Sequence, residues 1–230
     1  VVMVWTALIV GTLTGLVNGL LIAYGRVVAF IATLAMLASA RGLAQFISDK
    51  RTQLVQPENA VINDLATTRA FGLPVLVYIF LGVVVIGWVV LNRTTYGRRT
   101  VAVGGNPEAA RLAGIPIKRH TASLYALSGL CAGIAAVMII ARTTTGSSTH
   151  GEFYELDAIG AVVIGGTLLS GGRGTLVGSV LGVFVFTMLT NIFIMNRFET
   201  EIQNIAKGVI IVLAVLVQQW VARRAVANTT

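Results

Sequence analysis

Apolar residues along the chain gather into seven long runs separated by polar loops: Met3–Tyr24, Val27–Ile47, Leu73–Leu91, Thr121–Ala141, Asp157–Gly172, Thr175–Met195 and Ile205–Val221. A hydrocarbon core about 30 Å thick takes about 20 apolar residues of helix, and these runs reach or approach that length. A lone spanning strand would leave backbone groups unpaired in lipid, so every run is expected to be a helix. The fifth is short and interrupted by Gly165-Gly166. Pro57, Pro74, Pro107 and Pro116 fall in loops or at helix starts, so no run is broken by proline. The pattern predicts an all-α polytopic transmembrane helical bundle of about seven spans. It would form a single domain over residues 1–230, with a cytoplasmic loop at 93–120 and an extracytoplasmic loop at 48–72.

Composition sharpens this. Hydrophobic residues make up 56% of the chain and charged ones 11%, against about 25% charged in soluble domains. A soluble enzyme, a disordered chain and a disulfide scaffold are excluded. The single cysteine, Cys131, lies inside an apolar run and forms no intrachain disulfide. No charged leader precedes the first run, which reads as a true span rather than a signal peptide. The chain opens on Val1-Val2 rather than Met, and it is expected to start partway into a longer product.

Charge distribution orients the spans. One alternating set of loops holds Arg26, Arg93, Arg98, Arg99, Arg111, Lys118, Arg119, Arg173, Arg223 and Arg224, ten bases against the one acid Glu108. The other holds Lys50, Arg51, Arg69, Arg142 and Arg197, five bases against eight acids: Asp49, Glu58, Asp64, Glu152, Glu155, Asp157, Glu199 and Glu201. With the basic set in the cytoplasm, the C-terminus lies inside and the first residue outside. The +8 net charge is then topological, and nucleic acid is not the partner it indicates. An outside N-terminus without a signal is awkward, and earlier helices preceding this chain are the simplest remedy.

Glycines recur at every fourth position in Gly11-x3-Gly15-x3-Gly19 and Gly174-x3-Gly178-x3-Gly182, with Gly129-x3-Gly133 between them. Such stripes let helices approach closely, inside one bundle or, alternatively, at a seam between subunits.

The loop at 93–120 carries the densest local signals. Asn106 is placed to cap a short helix, Pro107 suits its first position, and Glu108 complements the positive end of its dipole. Gly114 offers a left-handed ending and Pro116 bars continuation. A helix of barely two turns does not persist alone in water. It is either a surface turn held by its own helix ends, or a docking helix presenting Ala109, Leu112 and Ile115 to a groove of a cytoplasmic partner.

The residues here have a specific likeness. Tyr96-Gly97-Arg98-Arg99 followed by Val103-Gly104-Gly105-Asn106-Pro107-Glu108-Ala109-Ala110-Arg111-Leu112-Ala113-Gly114-Ile115 resembles the coupling region of bacterial ABC importer permeases for monosaccharides, of the ribose, xylose and galactose type. Tyr154-Glu155-Leu156-Asp157-Ala158-Ile159, then Gly165-Gly166-Thr167 and Gly171-Gly172-Arg173-Gly174, resemble the same family. So do Ala29-Phe30-Ile31-Ala32-Thr33-Leu34 with Arg41-Gly42, and Lys207-Gly208 with its apolar tail. Members usually begin with further helices carrying an Asp-Leu-Ser motif, which this chain does not contain. The resemblance implies a type II importer-like permease in the bacterial cytoplasmic (inner) membrane, with no catalytic step of its own. Two permease copies, this chain twice or paired with a related permease, would sit on two ABC ATPase subunits. A periplasmic or extracytoplasmic sugar-binding protein would deliver the sugar. ATP and Mg would be held by the ATPase, and this chain would bind no cofactor or metal. Gly105, Asn106, Pro107, Glu108, Ala109, Ala110, Arg111, Leu112, Ala113, Gly114 and Ile115 would be the coupling helix.

Other chemistry lacks parts. There is no Gly-x4-Gly-Lys-Ser/Thr phosphate loop, and His120 and His150 fall on opposite sides of the membrane by this topology. Arg41 and Lys207 are the only ionisable residues within spans, and both are expected to snorkel to the outer interface. Every acid lies in a loop or at a span end, which weakens the alternative of a self-sufficient secondary carrier or channel. For the translocation path the candidates are Ser39, Gly165, Gly166, Thr167, Thr187, Thr190 and Asn191, with Asn18 also suited to a neutral polyhydroxylated solute. Thr187, Thr190 and Asn191 share one helix face, where interhelical hydrogen bonding is the competing account. Gly165-Gly166-Thr167 is a candidate break near mid-membrane, opening backbone to a cavity.

Overall fold

The computed structural model describes residues 2–55 and 60–227; Pro57 and Glu58, expected in a loop, lie outside the described residues. The order of elements is α1 (Val2–Ala23), α2 (Ala29–Ser48), β1 (Gln53–Leu54), α3 (Ala60–Thr67), β2 (Arg69–Ala70), β3 (Leu73–Pro74), α4 (Val75–Arg93), α5 (Thr95–Gly105), α6 (Pro107–Leu112), α7 (Ile117–Thr143), β4 (Thr145–Gly146), α8 (Tyr154–Ile164), α9 (Leu176–Met195) and α10 (Thr200–Ala227). The protein is an all-α polytopic membrane protein. Among the described residues six helices are long and apolar enough to cross a bilayer: α1, α2, α4, α7, α9 and the stretch Thr200–Gln218 of α10. Large apolar side chains stand exposed along them, such as Phe30 at 70%, Ile86 at 65% and Met188 at 63%. Such faces belong against hydrocarbon or another membrane subunit.

The predicted fifth span, Asp157–Gly172, is corrected. Its helix, α8, has 11 residues, about 16 Å of rise, half of what a bilayer requires. From Gly165 to Thr175 the chain is turns and irregular backbone.

The chain divides into two compact units, one holding residues up to Val83 together with Arg111–His150, the other Val84–Ala110 and the chain from Gly151 onward. In the first, α1 lies along α7 through its glycines. A Cβ on Gly11 would stand 2.5 Å from the Gly129 carbonyl oxygen, and one on Gly133 2.7 Å from the Ala7 oxygen. Lys118, in the first turn of α7, stands over the Tyr24 ring at 5.4 Å from its centroid. The segments after α2 and α7 meet in a two-residue antiparallel ladder, Gln53 opposite Gly146 and Leu54 opposite Thr145. That ladder puts both loops on one side of the membrane, as the charge split requires.

In the second unit α8 packs on α9 and α10. Gly165, just past its C-terminal end, meets Gly178, and Ala161 meets Gly182. Both glycine stripes therefore serve helix contacts within this one chain.

Candidate functional site

The loop region starts with a sharp reversal. Thr94 closes α4 and caps α5, its hydroxyl oxygen accepting from the Gly97 N–H at 3.3 Å. Gly97 is buried, and a Cβ there would strike the Leu91 carbonyl. Arg93 rests over the Trp88 ring at 5.5 Å. From this pivot α5 runs 11 residues to Gly105.

Asn106 then does two jobs. Its own N–H donates to the Ala102 carbonyl at 3.0 Å, ending α5. Its Oδ1 accepts the Ala109 N–H at 3.0 Å, capping α6. Pro107 is the first residue of α6, and Glu108 follows in its first turn. The helix stops at Leu112. Gly114, at φ +80°, reverses the chain and donates its N–H to Arg111 O at 3.0 Å. The helical part of Gly105–Ile115 is thus Pro107–Leu112, with Gly105 and Asn106 before it and Ala113, Gly114 and Ile115 in the turn after it. Ala110 is 4% exposed whereas Leu112 is 83% exposed. Ala109 is exposed and Ile115 half-buried. Leu112 is thus a large apolar side chain projecting from a short helix whose two ends are fixed.

The end of α5 lies against the irregular segment between α8 and α9. A Cβ on Gly104 would come 2.7 Å from the Gly172 nitrogen, and one on Gly172 2.6 Å from the Gly105 Cα. Gly171 and Gly172 both have positive φ, +88° and +76°. Backbone meets backbone here with no side chain between, and this puts the Arg173 turn on the same side as α5.

Gly165-Gly166-Thr167 does end a helix. Gly166 has φ +83°. The Thr167 N–H donates to Val162 O at 3.1 Å and the Gly166 N–H to Val163 O at 2.9 Å, the paired bonds of a Schellman ending. The break is not near mid-membrane, because Gly165 sits beside Gly178, the third residue of α9. Gln218 Nε2 donates to the freed Thr167 carbonyl at 2.8 Å. Gly166 lines a cavity of about 710 Å³ walled by Ile210, Leu213 and Val217 of α10.

Lys207 is paired with a carboxylate of α8. Its ammonium straddles the Asp157 carboxylate, 2.8 Å from Oδ1 and 3.0 Å from Oδ2, with the hydrogen bond directed at Oδ2. It also stands 5.8 Å from the centre of the Phe186 ring. Lys207 is seven residues into α10, about 10 Å along its axis. This places a carboxylate and an ammonium inside the span, where lone charges are costly.

The remaining path candidates each lie within one of the two units. Ser39 is exposed on α2, and Thr187 and Asn191 are exposed on α9. Thr190 donates to its own helix at Phe186 O, 3.1 Å. Among the described residues none of the three on α9 makes an interhelical hydrogen bond. Asn18 is different: it lines a cavity in the first unit, along with Tyr125 and Ser128, which no local pattern singles out. Among the described residues no three of His, Cys, Asp or Glu gather as a metal site.

A family model described as branched-chain amino acid transport system / permease component matches residues 1–215. The chain belongs to that family. Among curated proteins, this permease chain is 39% identical over 211 residues to the ribose import permease protein of Bacillus subtilis, covering 88% of the chain and 63% of that protein. It is 39% identical over 218 residues to the ribose import permease protein of Escherichia coli K12, 94% of the chain and 68% of that protein. It is 36% identical over 204 residues to the L-arabinose transport system permease protein of the same organism, 89% and 62%. The permease chain thus spans between about three-fifths and two-thirds of the length of these relatives. No solved structure is a significant match.

Proposed function

We propose that the chain is the membrane-spanning subunit of an ATP-binding cassette importer that moves a monosaccharide across the bacterial cytoplasmic membrane. The family match and the ribose and arabinose permeases among its relatives support the class. The observation that carries the coupling assignment is α6 itself: fixed at both ends by Asn106 and Gly114, and offering Leu112 at 83% exposure. In this reading a separate ATPase binds ATP and Mg, receives Leu112 in an apolar groove, and supplies the driving force. An extracytoplasmic binding protein delivers sugar to the opposite side, a second permease subunit completes the assembly, and the C-terminus is cytoplasmic.

Leu112→Asp places a charge in that groove. It is expected to reduce ATP-driven sugar uptake about tenfold or more while the protein still inserts in the membrane. Uptake in vesicles at the unmodified rate would remove α6 from the coupling role. A self-sufficient carrier gains one feature from the fold, the embedded Asp157, but Lys207 already neutralises it. Accumulation that continues after ATP is depleted, with ion gradients held, would favour that carrier.

A further inference from the structure

Within the first unit a cavity of about 470 Å³ follows the groove between α1 and α7, and Thr33 of α2 reaches it. Its residues on α1 run from Ala7 to Asn18, eleven positions or about 17 Å of helix. Asn18 is five residues from the C-terminal end of α1, so the groove lies within the span and not at a membrane surface. The floor is the glycine contact, where no side chain protrudes. Five polar residues interrupt the apolar walls: Thr14, Asn18, Thr33, Tyr125 and Ser128. No Asp, Glu, Lys, Arg or His lines the groove.

The protons of two of these hydroxyls are already committed. Thr14 Oγ1 donates to Val10 O at 2.7 Å, and Thr33 Oγ1 to Ala29 O at 3.0 Å. Their free lone pairs are left to turn outward. Asn18 Oδ1 is shut off from solvent and accepts no hydrogen bond, and a buried acceptor without a donor is costly. Asn18 is at the same time one of the residues that line the cavity. The groove is therefore rich in acceptors and carries no formal charge. A neutral solute bearing several O–H donors satisfies it. A zwitterion would need a charge partner for each end, and neither exists there.

We infer that the α1–α7 groove is a contact site for a neutral polyhydroxylated solute on its way through the membrane, with Asn18, Tyr125 and Ser128 as hydrogen-bonding residues. The inference rests on the permease reading and deepens it, because it assigns particular residues of this groove to contact with the solute.

The test is thiol labelling in membranes from cells making the full-length protein with Cys131→Ser. Ser128→Cys and Thr14→Cys are treated with a charged, membrane-impermeant methanethiosulfonate, and Leu127→Cys serves as the adjacent control. Thiols in apolar surroundings stay protonated and react slowly, so the two groove positions should react about tenfold faster than the control. Millimolar aldopentose or aldohexose from a panel should slow them several-fold, and L-leucine should not. Reaction at the control rate, or labelling only by a lipophilic maleimide, would mean lipid covers the groove. No reaction with either reagent would mean another helix covers it. Protection by leucine, or by no solute, would give the groove another chemistry. Each of these overturns the inference. Labelling needs no ATP, so the importer reading stands or fails separately, on ATP-dependent uptake.

Discussion

Two helix contacts in this protein use the same device and reach different lengths. Along α1 and α7, glycines at fourfold spacing meet across the interface, and both helices run on for the full depth of a bilayer. Along α9 the stripe is equally regular at Gly178 and Gly182, yet its partner α8 stops after 11 residues, at the position where Gly165 meets Gly178. Glycine spacing thus sets how near two helices come and says nothing about how far they continue. Length is decided at the helix terminus, where Gly166, in the left-handed region, closes α8 in a Schellman ending. The shortened helix then needs other holds, and it has the Asp157–Lys207 ion pair near one end and Gln218 at the Thr167 carbonyl beyond the other.

The largest effect should come from filling the longer contact. Gly15→Leu forces a side chain into the Tyr125 carbonyl and should destabilise the bundle by about 3 kcal/mol or more. Gly42→Leu and Gly208→Leu, with nothing within 4 Å, should be tolerated. Thermal unfolding in detergent reads the difference, and equal loss at all three sites would deny that the stripe is a packing surface. Next comes the pair that anchors α8. Lys207→Gln or Asp157→Asn leaves one charge unpaired in the span, at about 2.5–3.5 kcal/mol on insertion scales. The double replacement should be more stable than either single, and additive losses would mean that the two residues act independently. The smallest effect should come from Gly166→Ala, where a side chain in the left-handed region costs about 1–2 kcal/mol. If α8 were free to continue as a helix, this substitution would instead stabilise the protein.

Most of the spans were legible because apolar runs near 20 residues have few alternatives in lipid. The short loop helix was legible too, because Asn106, Pro107 and Gly114 act on backbone within three or four residues of themselves. The half-length of α8 was only hinted at. Gly165-Gly166-Thr167 marked a break, but its depth depends on which α9 residue Gly165 faces, and no local pattern encodes that. Lys207 reads alone as a snorkelling lysine because its partner lies 50 residues earlier in the chain. Tyr125 and Ser128 look like ordinary polar residues of α7 until α1 brings Asn18 beside them.

The meeting of Gly104 and Gly105 with Gly171 and Gly172 has a mechanical consequence. Side chains between two segments act as compliant springs, since rotamers can shift and absorb a small displacement. Here peptide groups touch peptide groups, and there is no slack to take up. A displacement at the end of α5 would therefore meet the backbone that leads from α8 into α9 directly, with no rotamer between them to yield. Any methyl group added at Gly104 or Gly172 would act as a shim that forces the two segments apart.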